Sequence, residues 1–286
     1  MLAAARLRPE RMKLFEGSRP LKRWRYVGVF SEQLAACAAL VQIGPARQSF
    51  WALHLSGQDA ARPAVDRERT RLLPRREEVR LIPGRAGDGE RAGEPGRLRV
   101  HDLGVLLELS LAEEPGIEAL CPHGRAQVWT RKQAGVPARG TLAVDGRAPV
   151  EIDALAVIDD TAGHHARRTE WWWSAGVGET ADGLALAWNL VSGVNDPPSG
   201  SERAVWVGGE PHEAPPVSFA ADLTRISCAD GSQLSFHAEA ERARSDNLLI
   251  VRSDYRAPFG TFSGTLPGGI QLARGRGVLE HHRARW

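Results

Sequence analysis

Large apolar residues alternate with small or charged ones along most of this chain. Residues 24–30 (WRYVGVF) show the pattern first. Successive side chains of a strand point to opposite faces, so period-two alternation predicts a strand with one buried face. Residues 35–42 and 49–55 repeat the vocabulary, with Gly44-Pro45 as the turn between them. Two shorter strands are expected at 69–73 and 79–82, and then at 97–101, 104–111, 125–133, 140–144 and 154–158. Pro122, Pro137 and the hairpin signal Asp145-Gly146 separate the last of these. Further strands are predicted at 173–177, 184–191, 204–207, 217–219, 223–227, 233–237, 248–253, 260–266 and 269–274, with turns at Ala181-Asp182-Gly183 and Asp230-Gly231. Helical character is confined to two short segments, 161–168 and 238–245.

Short strands at regular spacing argue for an all-β barrel or sandwich, and about sixteen of them would supply two eight-stranded barrels. The expected fold is therefore all-β: two antiparallel barrels or strongly curved sheets packed together, with few short helices. A boundary near residues 145–155 divides the strands evenly, giving domains at 1–150 and 151–286. No repeat is visible at the residue level. Between 58 and 96 the composition turns to Arg, Glu, Pro and Gly. Such a stretch supports little core and reads as a long excursion.

Charge and composition narrow the class. Lys and Arg number 37 against 35 Asp and Glu, a net of +2, which gives no electrostatic footprint for nucleic acid. No run of about eighteen apolar residues occurs, so no integral membrane segment is expected. Residues 1–8 lack the apolar core of a signal peptide, and with Cys37, Cys121 and Cys228 far apart this favours a cytoplasmic protein with reduced thiols. Nine tryptophans against two tyrosines suit either barrel cores or a pocket for a large apolar ligand.

The chemistry concentrates in residues 159–176. Asp159, Asp160, His164, His165, Glu170, Trp171, Trp172 and Trp173 fall within fifteen positions of one another. In a strand, Trp171 and Trp173 share a face and Trp172 takes the other. A carboxylic acid beside indole faces can protonate an alkene while the rings stabilise the resulting cation and exclude water. Asp159 or Asp160 is the candidate acid, with His165 as relay and His164 beside it; the alternative is that the Asp pair only caps a turn. A second island, His123 with Trp129, Arg131 and Lys132, suits a carboxylate or phosphate head group, or a barrel rim. Asn189 stands among apolar neighbours, and Asn195 opens the turn Asn195-Asp196-Pro197-Pro198. Glu280 and His282 alternate with His281 near the C-terminus. These His and Glu residues lack close metal-ligand spacing, so no metal is expected, and the absence of a phosphate loop, GxGxxG or GxSxG element gives no nucleotide cofactor or serine hydrolase.

The segments 24–30, 128–133, 162–176, 194–197 and 258–264 resemble the bacterial domain-of-unknown-function family 2804, itself distantly similar to the lipocalin-like proteins that include the carotenoid hydratase hydroxyneurosporene synthase and tocopherol cyclase. The resemblance implies a pair of calycin-type barrels with a hydrophobic ligand site between or within them. In the hydratases a His-Asp-His-x-Trp type segment is associated with alkene protonation. Here it reads His165-Ala166-Arg167-Arg168-Thr169-Glu170-Trp171, so that only His165 and Trp171 carry over, and Asp159, Asp160, Glu170 or Glu280 must supply the acid. Two functions follow as expectations. The first is a cofactor-independent hydratase, isomerase or cyclase of an unsaturated lipid or isoprenoid. The second is a non-catalytic carrier of a fatty acid or isoprenoid.

Overall fold

The computed structural model describes residues 9–57, 64–75, 77–85, 93–123, 125–248 and 251–285. The lead-in at 1–8, the charged runs 58–63 and 86–92, and part of the strand expected at 248–253 lie outside them. Apart from one short 3-10 turn, Pro9–Arg11, the described regular structure is all-β.

Two large antiparallel sheets account for nearly all of it. The first takes ten strands in the order Val65–Leu72, Ala46–Leu55, Leu34–Ile43, Lys22–Phe30, Val150–Gly163, Ala126–Val144, Val105–Leu111, Gly96–Asp102 and Val79–Ile82, with Ile117–His123 pairing on Ala126–Val144. The second takes nine, in the order Glu210–Glu213, Ala204–Val207, Ala185–Ser192, Arg168–Glu179, Ile270–Arg285, Val251–Leu266, Gln233–Leu248, Arg225–Cys228 and Val217–Phe219. Each curls on itself, bringing Val79–Ile82 against Leu34–Ile43 in one and Val217–Phe219 against Ala185–Ser192 in the other. The chain leaves the first sheet after Gly163 and enters the second at Arg168, so the strand Val150–Gly163, which the expected division assigns to the second half, pairs within the first.

The two sheets share one topology. In each, three strands step outward from a first strand, and the chain then returns inward until the last strand pairs with that first one: Val150–Gly163 with Lys22–Phe30, and Ile270–Arg285 with Arg168–Glu179. The repeat invisible at the residue level is thus a repeat of strand order.

These central strands bury both faces over much of their length. One face packs inside its own sheet. Val27, Val29, Leu107 and Ile158 belong to the first interior, and Trp188, Leu234, Phe262 and Leu279 to the second. The opposite faces meet in a third core between the sheets, where Tyr26, Phe30 and Val157 pack with Trp173, Phe259 and Val278.

Two bulges decide which polar side chains reach that junction. The register slips between Ala134 and Val136, and the extra residue, Gly135, has φ of 75°. Glycine takes such a value without the Cβ clash other residues meet. Before the bulge, even-numbered residues such as Ala134 face the junction; after it, Val136, Ala138 and Leu142 face the first interior. A second slip, between Ala238 and Ala240, separates Leu234 and Phe236, which face the second interior, from Arg242, which faces the junction.

Several sequence expectations are corrected here. Residues 238–245 lie inside the strand Gln233–Leu248, where pairing with Val251–Leu266 overrides the helix propensity of Ala, Glu and Arg. Residues 161–168 divide between a strand end, a short connection and the next strand. Pro137 does not break Ala126–Val144: its other edge pairs with Ile117–His123 up to Lys132 and with Val105–Leu111 from Ala138, leaving Pro137 in the gap, where no ladder N–H is required. The three cysteines are unpaired and buried. No described helix is long and apolar enough to cross a membrane.

Candidate active site

A cavity of about 280 Å³ opens at the junction of the two sheets. Its wall is a chain of ring contacts contributed by both halves. The His165 ring lies 5.3 Å from Trp24, Trp24 stacks on Trp171 at 6.3 Å and 11°, and Trp171 meets His282 edge-on at 4.3 Å. The wall continues from His282 to Tyr255 at 5.3 Å, to Phe50 at 6.2 Å and to Tyr26 at 6.4 Å, and ends on Trp173 at 5.4 Å. Rings at these separations present their π faces to a ligand at little entropic cost, because packing has already fixed them.

Two carboxyl groups reach into this wall, one from the last strand of each sheet. Asp159 Oδ2 accepts the Trp24 indole N–H at 2.9 Å, and Glu280 Oε1 accepts that of Trp171 at 2.8 Å. The correspondence extends to the register. Asp159 pairs with Tyr26 and Thr161 with Trp24; Glu280 pairs with Trp173 and His282 with Trp171.

Their surroundings differ. Lys132, the cross-strand partner of Asp159, places Nζ 2.6 Å from Asp159 Oδ1, and Thr161 donates its hydroxyl to the same oxygen at 2.8 Å. Lys132 Nζ also lies 3.2 Å from Glu202 Oε1, whose other oxygen accepts from Asn195 Nδ2 at 3.0 Å. Burial works against the Lys132 charge, but the two carboxylates outweigh it and raise its pKa, while burial raises Glu202 in spite of Lys132. No cation stands opposite Glu280: Arg256 pairs with His281, which puts fully buried Ala257 in the place Lys132 holds in the first half. Burial pushes the Glu280 carboxyl up to about 7 against the hydrogen bonds from Trp171 and Tyr255; nearby Asp159 adds to the rise and the Arg242 charge offsets part of it. Near neutrality a substantial share of the Glu280 carboxyl therefore still carries its proton.

His165 is the third polar element. Its Nδ1 donates to the Gly163 carbonyl at 3.3 Å, leaving Nε2 buried, unprotonated and without a hydrogen-bond partner. Burial, then Lys22 and His123, depress this imidazole to about 3. His282, whose ring contacts Ser253 Oγ through Nε2 at 2.8 Å, is likewise depressed to about 3 by burial, His281 and Arg242. Both are neutral at pH 7.

Eight sequence-nominated residues line this cavity: Asp159, His165, Lys132, Trp171, Trp173, Asn195, Glu280 and His282. Asn189 supports it from behind, accepting the Trp173 indole N–H at 2.8 Å and donating to the Glu202 carbonyl at 2.8 Å. His123 stands outside the lining, its ring 5.5 Å from that of His165. The others are elsewhere. Asp160 is on the opposite face of its strand, where Arg25 Nη1 takes both its oxygens at 2.9 and 2.7 Å and Arg131 Nη2 adds a bond at 2.7 Å. With Trp129, which donates to Glu118 at 3.1 Å, they line a wider cavity of about 890 Å³ at the mouth of the first sheet. His164 turns away to the Lys13 carbonyl and Glu16, at 3.0 and 3.2 Å. Glu170 lies on the outer face with His281 and Arg283.

Sequence reasoning did not single out Trp24, Tyr26, Glu202, Arg242 and Tyr255 as site residues, all of which line the cavity. The signal available for Arg242 was a charge at one strand parity after a bulge, and the bulge carries no glycine to mark it. Among the described residues no group of three or more His, Cys, Asp or Glu is arranged to hold a metal ion.

Comparison with known proteins follows the same lines. The profile of DUF2804, described as a domain of unknown function, matches residues 90–286. Curated protein sequences give no match. Among solved structures, a Nitrosomonas europaea protein assigned as AttH is 12% identical over 91% of each chain, with a TM-score of 0.54. Kievitone hydratase from Nectria haematococca is 11% identical over 91% of this chain and 88% of its own, with a TM-score of 0.53. At such identities the likeness is one of fold.

Proposed function

The chain belongs to the DUF2804 family, and from that premise we propose that it is a cofactor-independent enzyme that protonates a carbon–carbon double bond of an apolar substrate held in the junction cavity. The observation that carries the reading is Glu280: a buried carboxyl group, raised to about 7, set among indole and phenol rings in a cavity of small-molecule size. General acids work best when their pKa lies near the operating pH, and burial away from countercharge is the usual means of raising a carboxyl group.

In the proposed step the Glu280 O–H proton goes to one alkene carbon, the π pair forms the new C–H bond, and Glu280 is left as carboxylate. The cation on the adjacent carbon lies against the cavity wall that Trp24 and Trp171 form, whose rings attract positive charge. The Asp159–Lys132–Glu202 group, two carboxyl groups around one ammonium, biases the inner end of the cavity toward negative potential. Three outcomes balance. A water adds and returns its proton to Glu280, giving net hydration. A neighbouring C–H gives its proton to Glu280, moving the double bond. A second double bond attacks the cation, its π pair closing a ring and moving the positive charge to its far carbon, and a C–H proton beside that carbon passes to Glu280, leaving a new double bond and restoring the acid. His165 Nε2, an acceptor with no partner, is placed to orient the water or a substrate hydroxyl. That a hydratase shares the fold is compatible with the first outcome.

The competing reading is a carrier, which the same apolar cavity would serve. Incubation of the protein with mixed unsaturated lipids, isoprenoids and plant phenolics, followed by extraction and mass spectrometry, separates the two. The enzyme is expected to yield products heavier by one water or changed in retention at constant mass, and Glu280→Gln to yield none. Recovery of the bound compound unchanged from wild type would establish the carrier.

A further inference from the structure

We infer that the ligand of the junction cavity is an amphipathic organic acid, an apolar unsaturated body bearing one anionic oxygen group that docks on Arg242. This rests on the proton-transfer reading of the same cavity and adds the substrate's charge and its direction of entry.

The Arg242 residue is 4% exposed, yet it lines the cavity. Its guanidinium carbon sits 4.1 Å from the Phe50 ring centroid and 4.9 Å from that of Tyr255. Nη2 donates to Thr70 Oγ1 at 2.6 Å, but Nε is buried with no hydrogen-bond partner, and the Glu68 carboxylate stands 3.6 Å away on a side chain open to solvent. A buried guanidinium normally meets a carboxylate through paired short hydrogen bonds, since an unmatched buried charge is costly. Arg25 is matched in that way on the other face of the first sheet. Arg244, next on the same face of the Arg242 strand, is closed by Asp246 at 2.6 Å. Arg242 therefore lines the cavity as a guanidinium without a paired short carboxylate contact, with its plane set by two rings.

The charges are also sorted along the cavity. On its open side lie Arg47, Arg242 and Arg244 against Asp246, with half-exposed Leu72 at the rim; at its closed end lie Asp159 and Glu202 around Lys132. An acidic head is favoured at the mouth and a developing cation in the interior. Tyr255 links the two ends of the reaction geometry, because its ring underlies Arg242 and its hydroxyl bonds to Glu280. An acid held by Arg242 thus presents to Glu280 a double bond about one phenol ring's length from its head group.

The test uses two fluorescent probes of one aromatic skeleton, anilinonaphthalene sulfonate, which is anionic, and phenylnaphthylamine, which is neutral. The wild-type protein is expected to bind the sulfonate at least about tenfold more tightly, as one charge-assisted pair implies. Arg242→Gln is expected to weaken the sulfonate by about tenfold or more and the amine by less than about twofold. Arg242→Lys, which keeps the charge without the planar fork, should fall between, with thermal unfolding reporting that each variant folds. Equal wild-type affinity for both probes, or equal weakening of both by Arg242→Gln, overturns the anchor and leaves the apolar cavity standing. If neither probe binds wild type, the cavity is closed to ligands and the proton-transfer reading falls with the anchor.

Discussion

Asp159 and Glu280 occupy corresponding places in the two halves of the molecule, and their neighbours give them opposite characters. Each lies on the last strand of its sheet, beside the first strand, and each accepts an indole N–H from that strand. What separates them is the next strand over. Lys132 faces Asp159, whereas Ala257 stands beside Glu280. An ammonium at 2.6 Å makes one carboxyl group a member of a buried ion cluster, and a methyl group in the same place leaves the other to settle its burial by keeping a proton. Two similar scaffolds thus deliver one ion-paired carboxyl group and one unpaired acid to a single cavity.

The comparison breaks first at Glu280. Its replacement by Gln keeps the shape and the Trp171 contact but removes the transferable proton, so turnover is expected to fall by about 10²–10⁴-fold, the usual contribution of a positioned general acid. Lys132→Met tests the other half. It strips the shared cation from two buried carboxyl groups and is expected to cost about 3–5 kcal/mol of stability, measured by urea unfolding. A loss of activity without loss of stability would mean that Lys132 does more than neutralise.

A smaller effect reads the Glu280 proton directly in the stability. Between the ordinary carboxyl value of 4.5 and about 7, the folded protein retains a proton that the unfolded chain has released, so this group lowers stability as pH rises through that window. The slope should disappear in Glu280→Gln, with a total difference of up to about 3 kcal/mol. His165 and His282 act in the opposite sense. Neutral in the folded state down to about 3 and charged in the unfolded chain below 6.5, they remove stability as pH falls between those values. The smallest change is expected from Trp171→Phe, which deletes a bond favouring the ionised form; the alkaline fall in activity should then shift to higher pH.

Much of the fold is legible as period two, because half-buried strands must alternate; Val79–Ile82, Ala204–Val207 and Val217–Phe219 coincide with their expected spans. The long strands were cut short wherever a Pro or Gly intervened. Pro137 shows why: its tolerance depends on an unpaired edge set by strands elsewhere in the chain. For the site, alternation identified the shared face of Trp171 and Trp173, and composition drew attention to residues 159–173. It could not tell Asp159 from Asp160, since adjacent residues differ only in face and the identity of each face is tertiary. Nor could it choose Glu280 from the four candidate acids, because that choice depends on Trp171, 109 residues away, and on the absence of a lysine at Ala257. The doubled topology was hidden for a related reason: it is kept by strand order and a few inward positions, while the residues around them differ.

The proposed chemistry depends most on one protonation state. A pH titration of the Glu280 carboxyl carbon by nuclear magnetic resonance, assigned by comparison with Glu280→Gln, reads it without knowledge of the substrate. A midpoint near 7 is expected, well above the usual glutamate value of 4.5. A midpoint in the ordinary range would leave Glu280 a fixed charge with no proton to give, and would contradict the proposed chemistry.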